Sequence, residues 1–515
     1  MPAGSDNTER YVRLHWSIAA RCVVVGAVAG LLVSLYRLAL GWGADTARAM
    51  YAYAAAHPLW ILAVVAAAVC VGLALSWAVG RVPMAGGTGI PQAKGVLSHS
   101  LKMKALPTLA VRFAGGLLGG LFGLSLGRQG PSVQIGTCAG QFVSDISHRG
   151  GIEENCLVSA GAAAGIAAAF SAPLSGMVFC LEEVHRSFSP FKLIAVAAGA
   201  CTGAAIAAVA FGLRPVINYA TVAELPLEFY PLMVCVGVLA GLVGVGANRA
   251  FLGMQRLCGH IPQRWRIPLA FVVIVPVGLL LPDVLGGGDN LIALAETVRE
   301  GLGFLVLLVV AKLAVTAVCF GSGAPGGAFI PTLSVGALTG SAAGLLLVQL
   351  GMPADYVVNC AICSMAGMLA STMGAPLTGV VLVVEMSGSF SHVLPVALAA
   401  FAAYLVHDLL RTPAFYDTLL DRYIAKHGSQ SNADDEQRLF EVAVEPGSAL
   451  DGAEVDTVPW PQSSIVISIQ KAERSVIPRG SVHLRDGDRL IAHPLAPHAE
   501  AKKDLQVLAC RDEDV

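Results

Sequence analysis

Apolar residues fill this chain in long blocks separated by short polar breaks. Blocks approaching the roughly 20 mostly apolar residues that a membrane span requires begin near Ser17, Leu59, Pro107, Leu157, Leu193, Tyr230, Pro268, Leu302, Pro331, Tyr356 and Leu394. Glycine or proline interrupts several of them, and some are too short to cross alone. Broken apolar helices are tolerated where the freed backbone is buried or lines a polar path, and such breaks point to a transport site. The pattern changes after Leu410. Arg411 to Lys426 is polar and amphipathic, and HGSQSNADDEQ (His427 to Gln437) is charged and linker-like. From Leu439 the apolar positions alternate, as in Phe440, Val442 and Val444, with a further strand over Ile465 to Ile469 and another at Leu490 and Ile491. Turn signals stand at Glu445-Pro446-Gly447-Ser448 and Arg485-Asp486-Gly487-Asp488. The expected organisation is an N-terminal tail over 1–14, a transmembrane domain over 15–425, a linker over 426–438 and a small C-terminal domain over 439–515. The expected fold class is an all-α polytopic membrane protein with many broken helices, followed by a small α+β domain large enough to fold.

Composition sharpens this picture. Of 515 residues, 55% are hydrophobic and only 13% charged, where a soluble domain carries about 25% charged residues. The mean hydropathy is +0.69. A net charge of −2 without a basic stripe gives no reason to expect a nucleic-acid partner. Arg10, Arg13 and Arg21 favour a cytoplasmic N-terminus, and no signal peptide is evident. The twelve cysteines form no framework; Cys22, Cys70, Cys180, Cys201 and Cys319 lie in apolar runs, and the pair Cys360 and Cys363 stands alone, so buried free thiols are expected rather than a zinc site. No nucleophile–base set or metal cluster suggests an enzyme, and no cofactor is expected. His148 and His185 read as loop residues, and Lys312, inside an apolar run, as a residue that snorkels or pairs with a carboxylate.

The chain also repeats itself. Gly127-Arg128-Gln129-Gly130-Pro131-Ser132-Val133-Gln134-Ile135-Gly136 matches Gly327-Ala328-Phe329-Ile330-Pro331-Thr332-Leu333-Ser334-Val335-Gly336, and Gly140 and Gly340 continue the match. Further on, Ala172-Pro173-Leu174-Ser175-Gly176 matches Ala375-Pro376-Leu377-Thr378-Gly379, with Glu182 and Glu385 following at the same distance. Ordered matches with aligned prolines argue for an internal duplication, a common build among transporters. The residues leave open whether the halves are parallel or inverted.

An ion in a bilayer loses its hydration, and an unpaired charge there is very costly. Helix N-termini offer an anion unpaired N–H groups and about half a positive charge without the trap of a full cation. Three strings mark such helix starts in apolar surroundings: Gly87-Thr88-Gly89-Ile90-Pro91, Gly127-Arg128-Gln129-Gly130-Pro131 and Gly327-Ala328-Phe329-Ile330-Pro331. Glycine lets backbone approach an ion, proline suits a first helical turn, and Thr88 adds a hydroxyl donor.

In this order and at these separations the three strings resemble the signature motifs of the CLC chloride channel and transporter family, G-S-G-I-P, G-R-E-G-P and G-x-F-x-P. Glu182-Glu183 after an Ala-Pro-Leu-Ser-Gly turn adds to the resemblance, which covers about residues 15 to 425. It implies inverted-repeat halves and a homodimer in a plasma (cell inner) membrane, each subunit with its own path for chloride or a similar small anion. By the resemblance, Thr88 falls where a serine coordinates the anion. Gly127, Arg128, Gln129 and Gly130 form the second motif, and Phe329 and Ile330 present backbone N–H groups to the central anion. Tyr416, in Phe415-Tyr416-Asp417, matches a tyrosine whose hydroxyl meets that anion, Glu183 matches an inner glutamate that relays protons in coupled exchangers, and Arg112 falls near a basic residue of the pore. The departure is Gln129, where the family carries its gating glutamate. Glutamine has nearly the shape of a protonated glutamate but cannot ionise, so the position favours passive conduction over strict proton exchange. A proton/chloride antiporter using another acid is the alternative.

The C-terminal segment from Leu439 to about His493 resembles the TrkA-C domain, the C-terminal subdomain of regulators of potassium conductance. Phe440-Glu441-Val442-Ala443-Val444, Val476-Ile477-Pro478-Arg479-Gly480 and Leu484-Arg485-Asp486-Gly487-Asp488-Arg489-Leu490 carry that likeness. It implies a cytoplasmic regulatory or dimerising module, with a small-molecule ligand among its readings. A TrkA-C-regulated cation transporter is the cross-class rival; it predicts a T-V-G-Y-G-like filter or intramembrane aspartate pairs, and the sequence has neither.

Overall fold

The computed structural model describes residues 4–98, 100–147, 152–185, 190–212, 223–297, 301–388, 390–427, 440–445, 447–471, 474–496 and 498–510. Two compact units divide the chain, Met1–Ile424 and Ala425–Val515. Leu439, Pro446, His148 and most of the expected linker lie outside the described residues.

The first unit is helical. Its first half runs α1 (Gly4–Ala56), α2 (Pro58–Arg81), α3 (Ile90–Leu97), α4 (Ala105–Leu121), α5 (Gln129–Ile146), α6 (Ile152–Phe170), α7 (Pro173–Phe179) and α8 (Pro190–Phe211). The second runs α9 (Tyr230–Gly259), α10 (Gln263–Leu280), α11 (Asp289–Thr297), α12 (Leu302–Gly321), α13 (Phe329–Gln349), α14 (Val357–Met373), α15 (Pro376–Ser387) and α16 (Val393–Leu409), and α17 (Phe415–His427) closes the series. The halves repeat one plan element by element. Even the 3₁₀ turn Pro83–Ala85 before the short α3 recurs as Pro282–Val284 before the short α11. At the join, Gly127 and Gly327 form an antiparallel bridge. The Gly127 N–H donates to the Gly327 carbonyl at 2.5 Å and the Gly327 N–H returns the bond at 3.0 Å. The fold is therefore an inverted repeat, the orientation that the residues alone left open.

Among the described residues nine helices are long and apolar enough to cross a membrane. Their outer faces carry exposed Leu59, Leu62, Val209, Leu346 and Leu405, which suit lipid and not water. The span expected to begin at Pro268 begins at Gln263, with Pro268 and Pro276 inside the helix. Its polar first turn conceals the start, and neighbouring helices make interior prolines tolerable in a membrane. The centre is the α5–α6 and α13–α14 packing. There helices meet through small residues, as membrane helices do; a Cβ on Gly136 would lie 2.0 Å from the Gly161 carbonyl oxygen.

The second unit is a four-stranded antiparallel sheet, order β1-β4-β2-β3, with β1 (Phe440–Ala443), β2 (Ser464–Lys471), β3 (Arg474–Val476) and β4 (Arg489–Pro494), followed by α18 (His498–Ala509). Phe440, Val442, Ile469, Leu490 and Ala492 turn inward against Leu505 of α18. An irregularity between Val466 and Ser468 resets the register. It leaves Ile465 and Ile467 exposed while Ile469 is in the core.

Candidate functional site

Three helix starts meet where the glycine-rich strings predict. The Gly127–Gly327 bridge joins the residues just before α5 and α13, and the Gly326 N–H donates to the Gly87 carbonyl at 3.1 Å, bringing in the segment before α3. Thr88, 4% exposed, sits among them. A Cβ on Gly130 would lie 2.5 Å from the Thr88 Oγ1, and one on Gly327 3.5 Å from it. Phe329 and Ile330 form the buried first turn of α13. The structure thus brings Thr88, Gly127, Arg128, Gln129, Gly130, Phe329 and Ile330 together. Gln129 opens α5 and is 1% exposed, and its Oε1 has no hydrogen-bond partner among the described residues. A buried unpaired amide oxygen is rare enough to require a reason.

Two cations with no side-chain exposure brace this centre from behind. Arg112 of α4 donates from Nε to the Gln134 Oε1 and from Nη1 to the Gly87 carbonyl, each at 2.5 Å, and from Nη2 to the Gly86 carbonyl at 3.2 Å. Lys312 of α12 donates from Nζ to the Val284 carbonyl at 2.8 Å and the Gly286 carbonyl at 2.7 Å. The expectation that Lys312 snorkels or pairs with a carboxylate is corrected: it is fully buried and its hydrogen-bond partners are backbone carbonyls. Among the described residues no carboxylate pairs directly with either cation. The Arg112 guanidinium, protonated at any ordinary pH, is therefore left to act on the surroundings.

On one side the centre opens into a cavity of about 550 Å³ lined by Arg37, Arg48, Arg128, Asp45, Asp289 and Ile330, among others. Arg128 pairs with Asp289 at 3.3 Å and lies 5.5 Å from the centroid of the Phe170 ring, which in turn packs 6.2 Å from Phe329. Arg37 lies 4.0 Å over the Phe211 ring and donates to the Ser171 hydroxyl.

Glu183 and Tyr416 belong to a second cluster, at the other end of α3. Glu183 is 3% exposed in the π-helical turn Cys180–His185, and Tyr416, 2% exposed, lies in the first turn of α17. Lys94 of α3 stands 3.8 Å from Glu183 and bonds directly to Asp417. Lys94 is the fifth of the eight residues of α3, about 6 Å along the helix from the start that meets the first cluster. His185, expected in a loop, ends the π turn and meets the Ser159 hydroxyl at 2.6 Å.

Glu182 and Glu385 hold the halves together. Glu182 accepts from the Leu377 N–H at 3.0 Å and from the Thr378 N–H and hydroxyl at 2.6 Å. Glu385 accepts from the Leu174 N–H at 3.0 Å, the Ser175 N–H at 2.7 Å and the Ser175 hydroxyl at 2.5 Å. Each carboxylate thus caps the short helix of the opposite half, α15 or α7, as a helix N-terminus favours.

Lys94, Asp417, Asp289 and Arg37 were missed in the sequence reading. Asp417 directly follows Tyr416 and Lys94 stands three residues after Pro91; for Lys94, a charge close to a glycine-rich helix start among apolar residues is the signal that marks it. Arg37, inside the apolar run of α1, carries the same signal, and Asp289 carries none beyond its type.

A duplicated, inverted membrane bundle with helix starts gathered at its centre defines a class of ion-transport proteins. Residues 71–408 match the voltage gated chloride channel family, and residues 439–492 match the TrkA-C domain. The H(+)/Cl(-) exchange transporter ClcA of Cronobacter sakazakii is 34% identical over 428 residues, 80% of this chain and 90% of that one. ClcA of Salmonella agona is 32% identical over 434 residues, 81% of this chain and 91% of that one. Among solved structures, a slow cyanobacterial Cl-/H+ antiporter superposes with a TM-score of 0.75 at 26% identity, covering 80% of this chain and 99% of that one. A CLC-type fluoride/proton antiporter gives 0.64 at 21% identity, covering 76% and 95%, a likeness of fold. The chain belongs to the voltage-gated chloride channel family and ends in a TrkA-C domain.

Proposed function

We propose that this protein carries chloride across a plasma (cell inner) membrane by passive conduction, as a homodimer with both termini in the cytoplasm. The carrying observation is the meeting of the α3, α5 and α13 starts around Thr88 and Gln129. Backbone N–H groups, one hydroxyl and two buried cations without paired carboxylates favour a small anion and repel a cation. In this reading Thr88, Gly127, Arg128, Gln129, Gly130, Phe329, Ile330 and Tyr416 line the anion path, and the 550 Å³ cavity is its outer mouth. Gln129 occupies the gating position. Its amide has no charge with which to compete against chloride and no proton to exchange in step with it. Glu183, matched to a proton-relaying residue, then has no partner acid at Gln129. The C-terminal domain is a regulatory or dimerising module. The protein is a transporter and not an enzyme.

Coupled exchange is the second reading, favoured by the two ClcA relatives, which are H(+)/Cl(-) exchange transporters. Chloride efflux from proteoliposomes with simultaneous pH recording tests both. Conduction predicts chloride flux with no stoichiometric proton movement. Uphill proton movement driven by chloride would replace it with exchange.

A further inference from the structure

We propose that Asp289 is a built-in competitor for the entering anion: its carboxylate stands in for chloride on the Arg128 guanidinium, and chloride reaches the starts of α5 and α13 by displacing it. The inference deepens the proposed conduction and rests on it in one respect, that the 550 Å³ cavity is the mouth of the anion path.

The internal repeat explains how the carboxylate comes to stand there. Gly286 and Gly288, with positive φ of 67° and 106°, repeat the turn of Gly87 and Gly89, with positive φ of 65° and 94°. Such backbone suits glycine, and both halves build the same turn. Each turn leads into a short helix, α3 beginning at Ile90 and α11 at Asp289. The second half therefore places a charge where the first places an apolar side chain. A Cβ on Gly287 would lie 3.5 Å from the Asp289 Oδ2 and 3.6 Å from the Ile330 Cγ2. The carboxylate thus stands beside the first turn of α13.

The described residues lining the cavity include three arginines and two aspartates. Arg48 pairs with Asp45 at 3.1 Å, and both side chains are mostly exposed. Arg128 pairs with Asp289 at 3.3 Å, and these two partners are held very differently. The Arg128 side chain is 13% exposed, donates from Nε to the Ala169 carbonyl at 3.3 Å and lies by the Phe170 ring. The Asp289 side chain is 54% exposed, and among the described residues its carboxylate accepts no hydrogen bond except that from Arg128. A pair with one solvated partner costs little to open. When it opens, the aspartate moves into water and the guanidinium stays. Arg37 is the arginine of this cavity with no carboxylate at salt-bridge distance among the described residues. It donates to the Ser171 hydroxyl, lies over the Phe211 ring and is within electrostatic reach of both Arg128 and Asp289.

An entering anion therefore meets two guanidinium groups, each backed by an aromatic ring, and one mobile carboxylate already on the ground. A conducting site has to attract its ion and also release it. Two uncompensated guanidinium groups would hold chloride at the mouth. Asp289 offsets that attraction and takes over Arg128 as each ion moves inward.

The test is the chloride dependence of flux in proteoliposomes holding the full chain, for wild type, Asp289→Asn and Asp45→Asn. Asparagine keeps the shape of aspartate without the charge. Asp289→Asn is expected to lower the half-saturating chloride concentration by about threefold or more, the scale of an exposed ion pair. Asp45→Asn removes the same charge from the same cavity but frees Arg48 instead of Arg128, so its shift is expected to be much smaller. An unchanged half-saturation in Asp289→Asn overturns the inference. Equal shifts in the two variants also overturn it, because the general field of the cavity would then account for both. Should Asp289→Asn fail to fold, Asp289→Ser is judged by the same criteria. A wild type that passes no chloride, or that moves protons uphill, overturns the conduction reading instead, so the two failures are distinguishable.

Discussion

Lys312 is the internal twin of Arg112. They lie on corresponding helices, α12 and α4, at the offset that also relates Gly327 to Gly127. Lys312 holds the turn at Val284 and Gly286, and Arg112 holds the turn at Gly86 and Gly87. Each cation fixes the glycine-rich turn that leads into a short helix, α3 on one side and α11 on the other. One turn carries Thr88 into the centre, and the other carries Gly286, Gly287 and Asp289 into the wall of the 550 Å³ cavity.

Lys312→Met removes the ammonium from both carbonyls and leaves the buried Val284 carbonyl unsatisfied, at a cost of about 1–3 kcal/mol, while the half-buried Gly286 carbonyl faces the cavity. We expect a lower melting temperature in detergent and reduced chloride efflux, with Lys312→Arg retaining more of both. Unchanged melting and flux in Lys312→Met would show that the turn holds itself.

Gln129→Glu places a titratable group at the start of α5. Its unperturbed pKa is about 4.3. Ionised, the carboxylate competes with chloride for the N–H groups of the helix starts; protonated, it has the shape of the native amide. Flux is therefore expected to be highest at acid pH and to fall as pH rises through the carboxyl's pKa, whereas wild type shows no such step from this side chain. Efflux measured across a pH series checks it, and parallel profiles for the two proteins would remove position 129 from the path.

Gly130→Ala tests the close approach at the centre. The added Cβ would lie 2.2 Å from the Thr88 carbonyl oxygen, where backbone must move. A drop in chloride flux of about tenfold or more is expected, equivalent to about 1.4 kcal/mol or more in barrier height. Gly246→Ala, on an open face of α9 with nothing within 4 Å, serves as the silent comparison. Full flux in Gly130→Ala would mean that the approach between α5 and Thr88 is not needed for conduction.

Truncation after Lys426 removes a unit with its own core and sheet. The remaining chain is expected to insert and conduct in liposomes, with changed gating or dimer stability. A truncated protein that is folded yet wholly inactive would make the tail part of the conducting machine.

Much of this was legible in the sequence because its signals are local. Apolar block length marks the spans, and glycine and proline mark helix starts. The strings around Thr88, Gln129 and Phe329 identify the centre without any contact information. The Leu490 strand and the Phe440–Val442 alternation are legible for the same reason. What escaped depends on pairs distant in the chain. Glu182 and Glu385 were visible as matching positions of the repeat. Their capping of each other's half was not, because each partner lies about two hundred residues away. Lys312 resisted explanation because the repeat substitutes lysine for arginine there and no motif surrounds it. The Lys94–Glu183 pair joins a helix to a turn from a different part of the half, and periodicity carries no information about that meeting.

The reciprocal caps impose an order of events during synthesis. Leu174 leaves the ribosome 211 residues before Glu385, the carboxylate that accepts its N–H. At about 5–20 residues per second the wait is roughly 10–40 s. Throughout it the start of α7 lacks the carboxylate that accepts the N–H groups of Leu174 and Ser175 in the finished fold. The cap of α7 is therefore supplied by a segment translated long after the helix that it completes.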